Sequence, residues 1–204
     1  MIPFLILFIS WSVLHSITAS LKFKRWVASW TGQRTFDGLY RITYNLFAFL
    51  TFLPVLLLGA GILPHKIIWS ISWPGKVIFY IVQLFGLAGL FWSLMKTDLL
   101  RFLGLGQALR FFQGKEDVNP PPVLVTTGPY TIVRHPLYLF SLLFIWFYPQ
   151  LTLNLLIFNL VVTIYFWVGS IYEENRLLET FGEAYRTYQL RVPRLIPIKI
   201  SSRG

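Results

Sequence analysis

Residues 128–181 read GPYTIVRHPLYLFSLLFIWFYPQLTLNLLIFNLVVTIYFWVGSIYEENRLLETF. Two apolar runs, Leu137–Phe147 and Leu151–Val168, are separated only by Tyr148-Pro149-Gln150. Arg134-His135 precedes the first run, and Glu173-Glu174-Asn175-Arg176 follows the second. Runs joined so closely predict an antiparallel helical hairpin, which returns the chain to the side it left and carries both polar clusters to one end. Pro136 and Pro149 leave the first run about twelve residues, or roughly 18 Å of helix against roughly 30 Å of hydrocarbon. It is too short to cross alone.

Working outward, Ile2–Ala19, Ile42–Leu63 and Val77–Met95 are further apolar runs, and all three are long enough to span. The 204 residues are 55% hydrophobic and 18% aromatic but only 13% charged, with a mean hydropathy of +0.62. That excludes an ordinary soluble domain. The expected fold is an all-α integral membrane protein of about five transmembrane helices, the last two forming the tight hairpin. The first run lacks a basic leader and a small-residue cleavage site, so it is read as a retained helix.

The net charge of +10 is distributed as a topology signal. Lys22, Lys24, Arg25, Arg34 and Arg41 fill the first loop. Lys96, Arg101, Arg110, Lys115 and Arg134 fill the third, and Arg186, Arg191, Arg194, Lys199 and Arg203 the tail. The positive-inside rule then places the N-terminus outside, with loops one and three and the C-terminus in the cytoplasm. No nucleic-acid motif accompanies these charges, so the expected partners are the bilayer and a small lipophilic substrate. The sequence leaves the oligomeric state open. There is no cysteine, and His15, His65 and His135 have no ligand spacing, so no metal site is expected. No repeat or linker divides the chain, which reads as one domain over 1–204.

Pro136 suits the first position of a helix, which makes His135 its N-cap. The exposed amides of that helix start, with the forked guanidinium of Arg134 beside them, form a receptor for a carboxylate or phosphate. Gly128-Pro129-Tyr130 reads as a turn that brings Tyr130 and Tyr138 together. A purely interfacial, helix-capping role for Arg134 and His135 stays open. Glu173 and Glu174, at the end of a membrane helix, are costly unless paired or functional. Neighbours on a helix point about 100° apart, so one is expected to bind a ligand ammonium and the other to support, with Arg134 or Arg176 as partner. Leu177, Leu178, Phe181, Tyr185 and Tyr188 recur at spacings of three and four, predicting a C-terminal amphipathic helix that packs on the hairpin or the interface. The prolines of Arg191-Val192-Pro193-Arg194-Leu195-Ile196-Pro197 then hold an extended segment across the site.

The ordered set GPYTIVRHPLY, EENRLL, FGEAYRTY and RVPRLIP resembles the isoprenylcysteine carboxyl methyltransferase family over roughly residues 96–198. LHSITASLKFKRW (14–26) and TDLLRFLGLGQ (97–107) resemble, more loosely, the bacterial methanethiol S-methyltransferase branch. The resemblance implies a membrane enzyme that takes S-adenosylmethionine from the cytosolic side and a lipophilic acceptor, a small thiol or an isoprenylcysteine carboxylate, from the bilayer. It also implies that Arg134, His135, Pro136, Tyr138, Glu173 and Glu174 line the cofactor pocket. One departure is that Phe140 stands where the family often has glycine.

The residue chemistry suits that cofactor, with a cationic corner for its carboxylate, an acidic one for its ammonium and tyrosine faces for its sulfonium. Methyl transfer needs alignment more than a protein nucleophile. A thiol acceptor additionally needs deprotonation, for which His135, with Arg134 and Glu174 around it, is the candidate base. His15, Asp98, Gln107 and Arg191 are the candidate substrate residues, and Asn45 is a further polar candidate. Two other functions fit the same pattern: a nicotinamide-dependent reductase of the sterol-reductase type, and a non-catalytic membrane scaffold.

Overall fold

The computed structural model describes residues 2–115 and 122–198, with the backbone alone over 58–62. Lys199 and Arg203 of the basic tail lie outside the described residues. In order, the elements are α1 (Ile2–Ala19), α2 (Leu21–Thr31), α3 (Gln33–Ile62), β1 (Ile67–Ser70), α4 (Gly75–Lys96), α5 (Leu99–Leu103) and α6 (Leu105–Phe112). A 3-10 turn over Gly128–Thr131 leads to α7 (Pro136–Trp146), β2 (Gln150–Thr152), α8 (Leu153–Phe181) and α9 (Glu183–Arg191). Among the described residues, four helical segments are long and apolar enough to cross a membrane: Ile2–Ala19, Gln33–Leu57, Gly75–Lys96 and Leu153–Phe181. The fifth run forms only the 11 residues of α7, roughly 16 Å. The chain forms two compact units, residues 1–64 with 98–121, and 65–97 with 122–204.

In the first unit α1 packs on α3, where the Trp11 indole donates to the Ala48 carbonyl at 3.2 Å and Phe4 and Phe8 are buried. The loop after α4, read from sequence as plain loop, contains α5 and α6. Gly104, at φ 84°, joins them where a β-carbon would lie 2.4 Å from the Ile42 amide nitrogen of α3, so only glycine allows that approach. The Phe102 carbonyl left at the end of α5 accepts from Asn45 (2.9 Å) and Arg41 (3.2 Å).

The second unit is built on α4 and α7. Gly86, Gly89 and Ser93 form the buried face of α4, small residues that let two helices approach closely. Phe140 fills the hollow over Gly89, where a β-carbon would fall 2.3 Å from its ring, and meets Phe85 edge-on at 5.8 Å. Gly89→Ala should therefore cost about 1–3 kcal/mol by overpacking. In a Phe140→Ala background the same change should cost far less, a coupling that thermal unfolding of the four variants in detergent would measure.

The short α7 has a further consequence. A helix ending partway through hydrocarbon leaves carbonyls with no water to bond. Here Leu143 O accepts from the Phe147 amide at 3.3 Å. Phe144 O accepts from Gln83 Nε2 of α4, and Ile145 O from Asn159 Nδ2 of α8, each at 3.0 Å. Asn159 is buried in the second turn of the apolar α8. Asn159→Leu should lower stability by about 1–3 kcal/mol, read as a fall in thermal midpoint.

After α7 the chain forms β2, which pairs antiparallel with β1, Ser70 facing Gln150 and Trp69 facing Leu151. This two-stranded sheet, absent from the sequence expectation, sits at the start of α4. The 3-10 turn lies at the other end, with Gly128 against the Lys96 side chain. The 22 residues of α4 set the two ends roughly 33 Å apart. The amphipathic stripe is corrected too. Leu177, Leu178 and Phe181 belong to the continuous α8, and Tyr185 and Tyr188 to α9. Gly182 between them holds φ 53°, ψ −127°, a conformation that breaks the helix and favours glycine.

Candidate functional site

At the end of the second unit away from the sheet, His135 N-caps α7 and Pro136 occupies its first turn. The 29-residue α8 carries Glu173 and Glu174 twenty residues, or roughly 30 Å, beyond its start. Contacts from Trp146 to Thr163 (3.0 Å) and from Tyr138 to Glu173 (2.9 Å) run in opposite chain directions. Both polar clusters thus reach one level.

The tail closes over them. The Arg134 and His135 amides donate to the Pro193 (2.9 Å) and Arg194 (3.1 Å) carbonyls. Arg134 Nη1 donates to Val192 O at 2.6 Å and Gln189 O at 3.0 Å. The Tyr188 hydroxyl donates to Tyr130 O at 2.6 Å. The Arg194 guanidinium lies 4.2 Å over the Trp167 ring.

The two glutamates have different surroundings. Glu174 Oε1 accepts from Arg134 Nε at 2.6 Å and faces His135 Nε2 at 3.2 Å, and Oε2 accepts from Gln189 at 3.1 Å. Both side chains of the Arg134–Glu174 pair are 10% exposed. Glu173 Oε2 accepts from the Tyr138 hydroxyl at 2.9 Å and lies 3.4 Å from His135 Nδ1, with 34% of the side chain exposed. Tyr138 stacks parallel to His135 at 5.3 Å and to Phe166 at 4.6 Å.

His135 thus faces a carboxylate at each ring nitrogen. Burial alone would push its pKa down, but hydrogen bonds to and the negative charge of Glu173 and Glu174 prevail and raise it above the ordinary 6.5. When protonated, the ring donates at both nitrogens and keeps no lone pair to receive a proton. Burial first, then the charge of Glu173, pushes Tyr130 up to about 12. Burial likewise pushes Tyr188 up to about 12. Both phenols therefore keep their protons at neutral pH, and that of Tyr188 is donated to Tyr130 O. Because the His135 value is raised on folding, its stabilising charge is fully present below pH 6.5 and is lost as pH rises through the raised value. Thermal stability in detergent should fall over that rise, and His135→Gln should flatten the slope.

Of the residues singled out in the sequence, Arg134, His135, Tyr138, Glu173 and Glu174 form one hydrogen-bonded cluster, flanked by Pro136 and the Tyr130 carbonyl. Arg191 ends α9 and is exposed. His15, Asp98 and Gln107 belong to the first unit. His15 is hydrogen-bonded to the Tyr44 hydroxyl at 2.9 Å and stacked on Trp11 at 5.0 Å. Asp98 caps α5 by accepting from the Arg101 amide at 3.0 Å. Gln107 donates to Arg101 O at 3.2 Å. Gln189, which holds the outer oxygen of Glu174, was not recognisable beforehand, since one glutamine in a polar helix carries no pattern.

Helices long and apolar enough to cross a membrane, with a buried Arg–Glu–His cluster joining the start of α7 to the polar end of α8, define an integral membrane protein. Residues 81–184 match the phospholipid methyltransferase family. Methanethiol S-methyltransferase 1 of Bradyrhizobium diazoefficiens is 36% identical over 194 residues, covering 95% of this chain and 65% of that protein. Methanethiol S-methyltransferase of Crocosphaera subtropica is 34% identical over 187 residues, 90% of this chain and 69% of that protein. Protein-S-isoprenylcysteine O-methyltransferase of Schizosaccharomyces pombe is 32% identical over 158 residues, 70% and 62% of the two chains. No solved structure matches. The chain belongs to the phospholipid methyltransferase family, and it spans 65% and 69% of the two methanethiol relatives' lengths.

Proposed function

We propose that this protein transfers a methyl group from S-adenosylmethionine to a small lipophilic thiol such as methanethiol, acting as a single membrane methyltransferase domain with its cofactor site on the cytoplasmic side. The observation that carries the proposal is the unequal treatment of the two glutamates. Glu174 is consumed by Arg134, His135 and Gln189, while Glu173 is oriented by Tyr138 and His135 yet keeps a third of its side chain accessible. An oriented, accessible carboxylate suits an ammonium. Among the described residues the Leu137 and Tyr138 amides in the first turn of α7 make no backbone hydrogen bond, which suits a carboxylate at a helix N-terminus. The two ends of the amino-acid part of the cofactor thus meet matching groups.

When bound, S-adenosylmethionine supplies an electrophilic methyl group on a sulfonium. The chain holds and orients. Glu173 fixes the ammonium, the α7 amides with the charge of Arg134 fix the carboxylate, and apolar helix walls exclude water. His135 serves as a positioning cation between the glutamates rather than as a base, so the thiol is taken up as its thiolate. The six methanethiol S-methyltransferase relatives support a thiol over a prenylated carboxylate. The basic first and third loops support the cytoplasmic placement.

Thermal unfolding of the purified protein in detergent tests the cofactor. S-adenosylmethionine should raise the midpoint and NADPH should leave it unchanged. Stabilisation by NADPH alone would favour the reductase reading instead.

A further inference from the structure

Helix α9 brings one more polar group to the Arg134–Glu174 cluster than the fold uses. Tyr185, Tyr188 and Gln189, spaced by three and four, share its inward side, while Ala184, Arg186 and Thr187 are exposed. Two of the three have partners: the Tyr188 hydroxyl donates to Tyr130 O at 2.6 Å, and Gln189 donates to Glu174 Oε2 at 3.1 Å. Tyr185, one turn before Gln189, is 1% exposed, with its ring 5.9 Å from that of Tyr188. Its hydroxyl is buried and has no hydrogen-bond partner among the described residues. An unmatched buried hydroxyl is destabilising, and phenylalanine would fill the same space without that penalty. Burial, and after it the charge of Glu174, push the phenol up, so it keeps its proton at neutral pH and is able to donate. A second donor is spare in the same cluster. Arg134 uses Nε for Glu174 and Nη1 for Gln189 O and Val192 O, while Nη2 has no such partner among the described residues.

Spare donors that include a guanidinium match a group that only accepts and carries negative charge, which is a carboxylate. The ammonium and carboxylate of an amino acid share one carbon, so their receptors must be neighbours. His135 lies 3.4 Å from Glu173 and 3.2 Å from Glu174, which makes the Arg134–Glu174 pair the neighbour of an ammonium held at Glu173. We propose that the Tyr185 hydroxyl, together with Arg134 Nη2, binds the carboxylate of S-adenosylmethionine, making Tyr185 a cofactor-binding residue. The inference rests on the methyl-transfer reading and deepens it. The hydroxyl is enclosed, so binding includes a local side-chain adjustment of the kind common at binding surfaces.

The test is titration calorimetry of the purified full chain in detergent with two probes, S-adenosylmethionine and its decarboxylated form, which keeps the ammonium, sulfonium and adenosine. Wild type should prefer S-adenosylmethionine. In Tyr185→Phe that preference should fall about 10-fold, through loss of S-adenosylmethionine affinity alone. The thermal midpoint of the variant without ligand should stay at or above that of wild type, because the substitution removes an unmatched hydroxyl and keeps the ring. Equal weakening of both probes would mark Tyr185 as a packing residue and overturn the proposal. So would an unchanged affinity for S-adenosylmethionine, which would leave the hydroxyl to a buried water. A wild type that binds neither probe would remove the methyl-transfer reading and this inference with it, whereas normal wild-type binding with an unaffected Tyr185→Phe would remove this inference alone.

Discussion

Glu174→Gln is expected to lower folding stability by about 3–5 kcal/mol and to remove methyl-transfer activity. The change keeps the shape of the side chain and deletes its charge, so Arg134, 10% exposed, and His135, 4% exposed, lose the anion they share. An uncompensated buried cation carries a desolvation penalty of that order. Breaking the pair should also loosen the tail, because the same guanidinium that bonds Glu174 through Nε holds Gln189 O and Val192 O through Nη1. Chemical unfolding in detergent measures the stability, and the tail should become sensitive to protease near Gln189 to Ile198. Arg134→Gln should produce the same pair of effects from the other side.

Glu173→Gln is expected to act oppositely, with stability within about 1 kcal/mol of wild type and affinity for S-adenosylmethionine weakened about 10- to 100-fold. Glu173 keeps a third of its side chain exposed, and its amide replacement can still accept from Tyr138. What it loses is the charge that an ammonium would meet. Titration calorimetry on the folded variant measures this. If Glu173→Gln bound the cofactor normally while a folded Glu174 variant did not, the roles of the two glutamates would be exchanged.

Periodicity and proline positions made the membrane helices legible, because an apolar run bounded by charge or proline has few alternatives in a bilayer. Thus Ile2–Ala19 coincides with α1, and Val77–Met95 falls inside α4. The Arg134-His135-Pro136 start of α7 was legible for a local reason, proline at a first turn. The β1–β2 sheet was not, since three- and four-residue strands have no period to detect, and neither was the break at Gly182, where one φ angle interrupts an unbroken amphipathic stripe. Asn159 and Gln83 show another limit. Their role is to satisfy carbonyls of α7, so it appears only once α7 is known to stop short. Sequence spacing likewise predicted that the two glutamates differ but not which is which, because that depends on Gln189 and on the strap carbonyls from α9 onward. Phe140, a departure from the family pattern, has its space in the hollow over Gly89.

The central claim is tested most directly by product formation. The purified protein in detergent, given methanethiol and S-adenosylmethionine carrying a deuterated methyl group, should release dimethyl sulfide labelled in one methyl group, detected by headspace mass spectrometry, and Glu173→Gln should lower the yield at limiting cofactor. A folded wild-type protein that binds S-adenosylmethionine yet forms no labelled sulfide, while methylating an isoprenylcysteine carboxylate or a phospholipid amine, would contradict the thiol assignment.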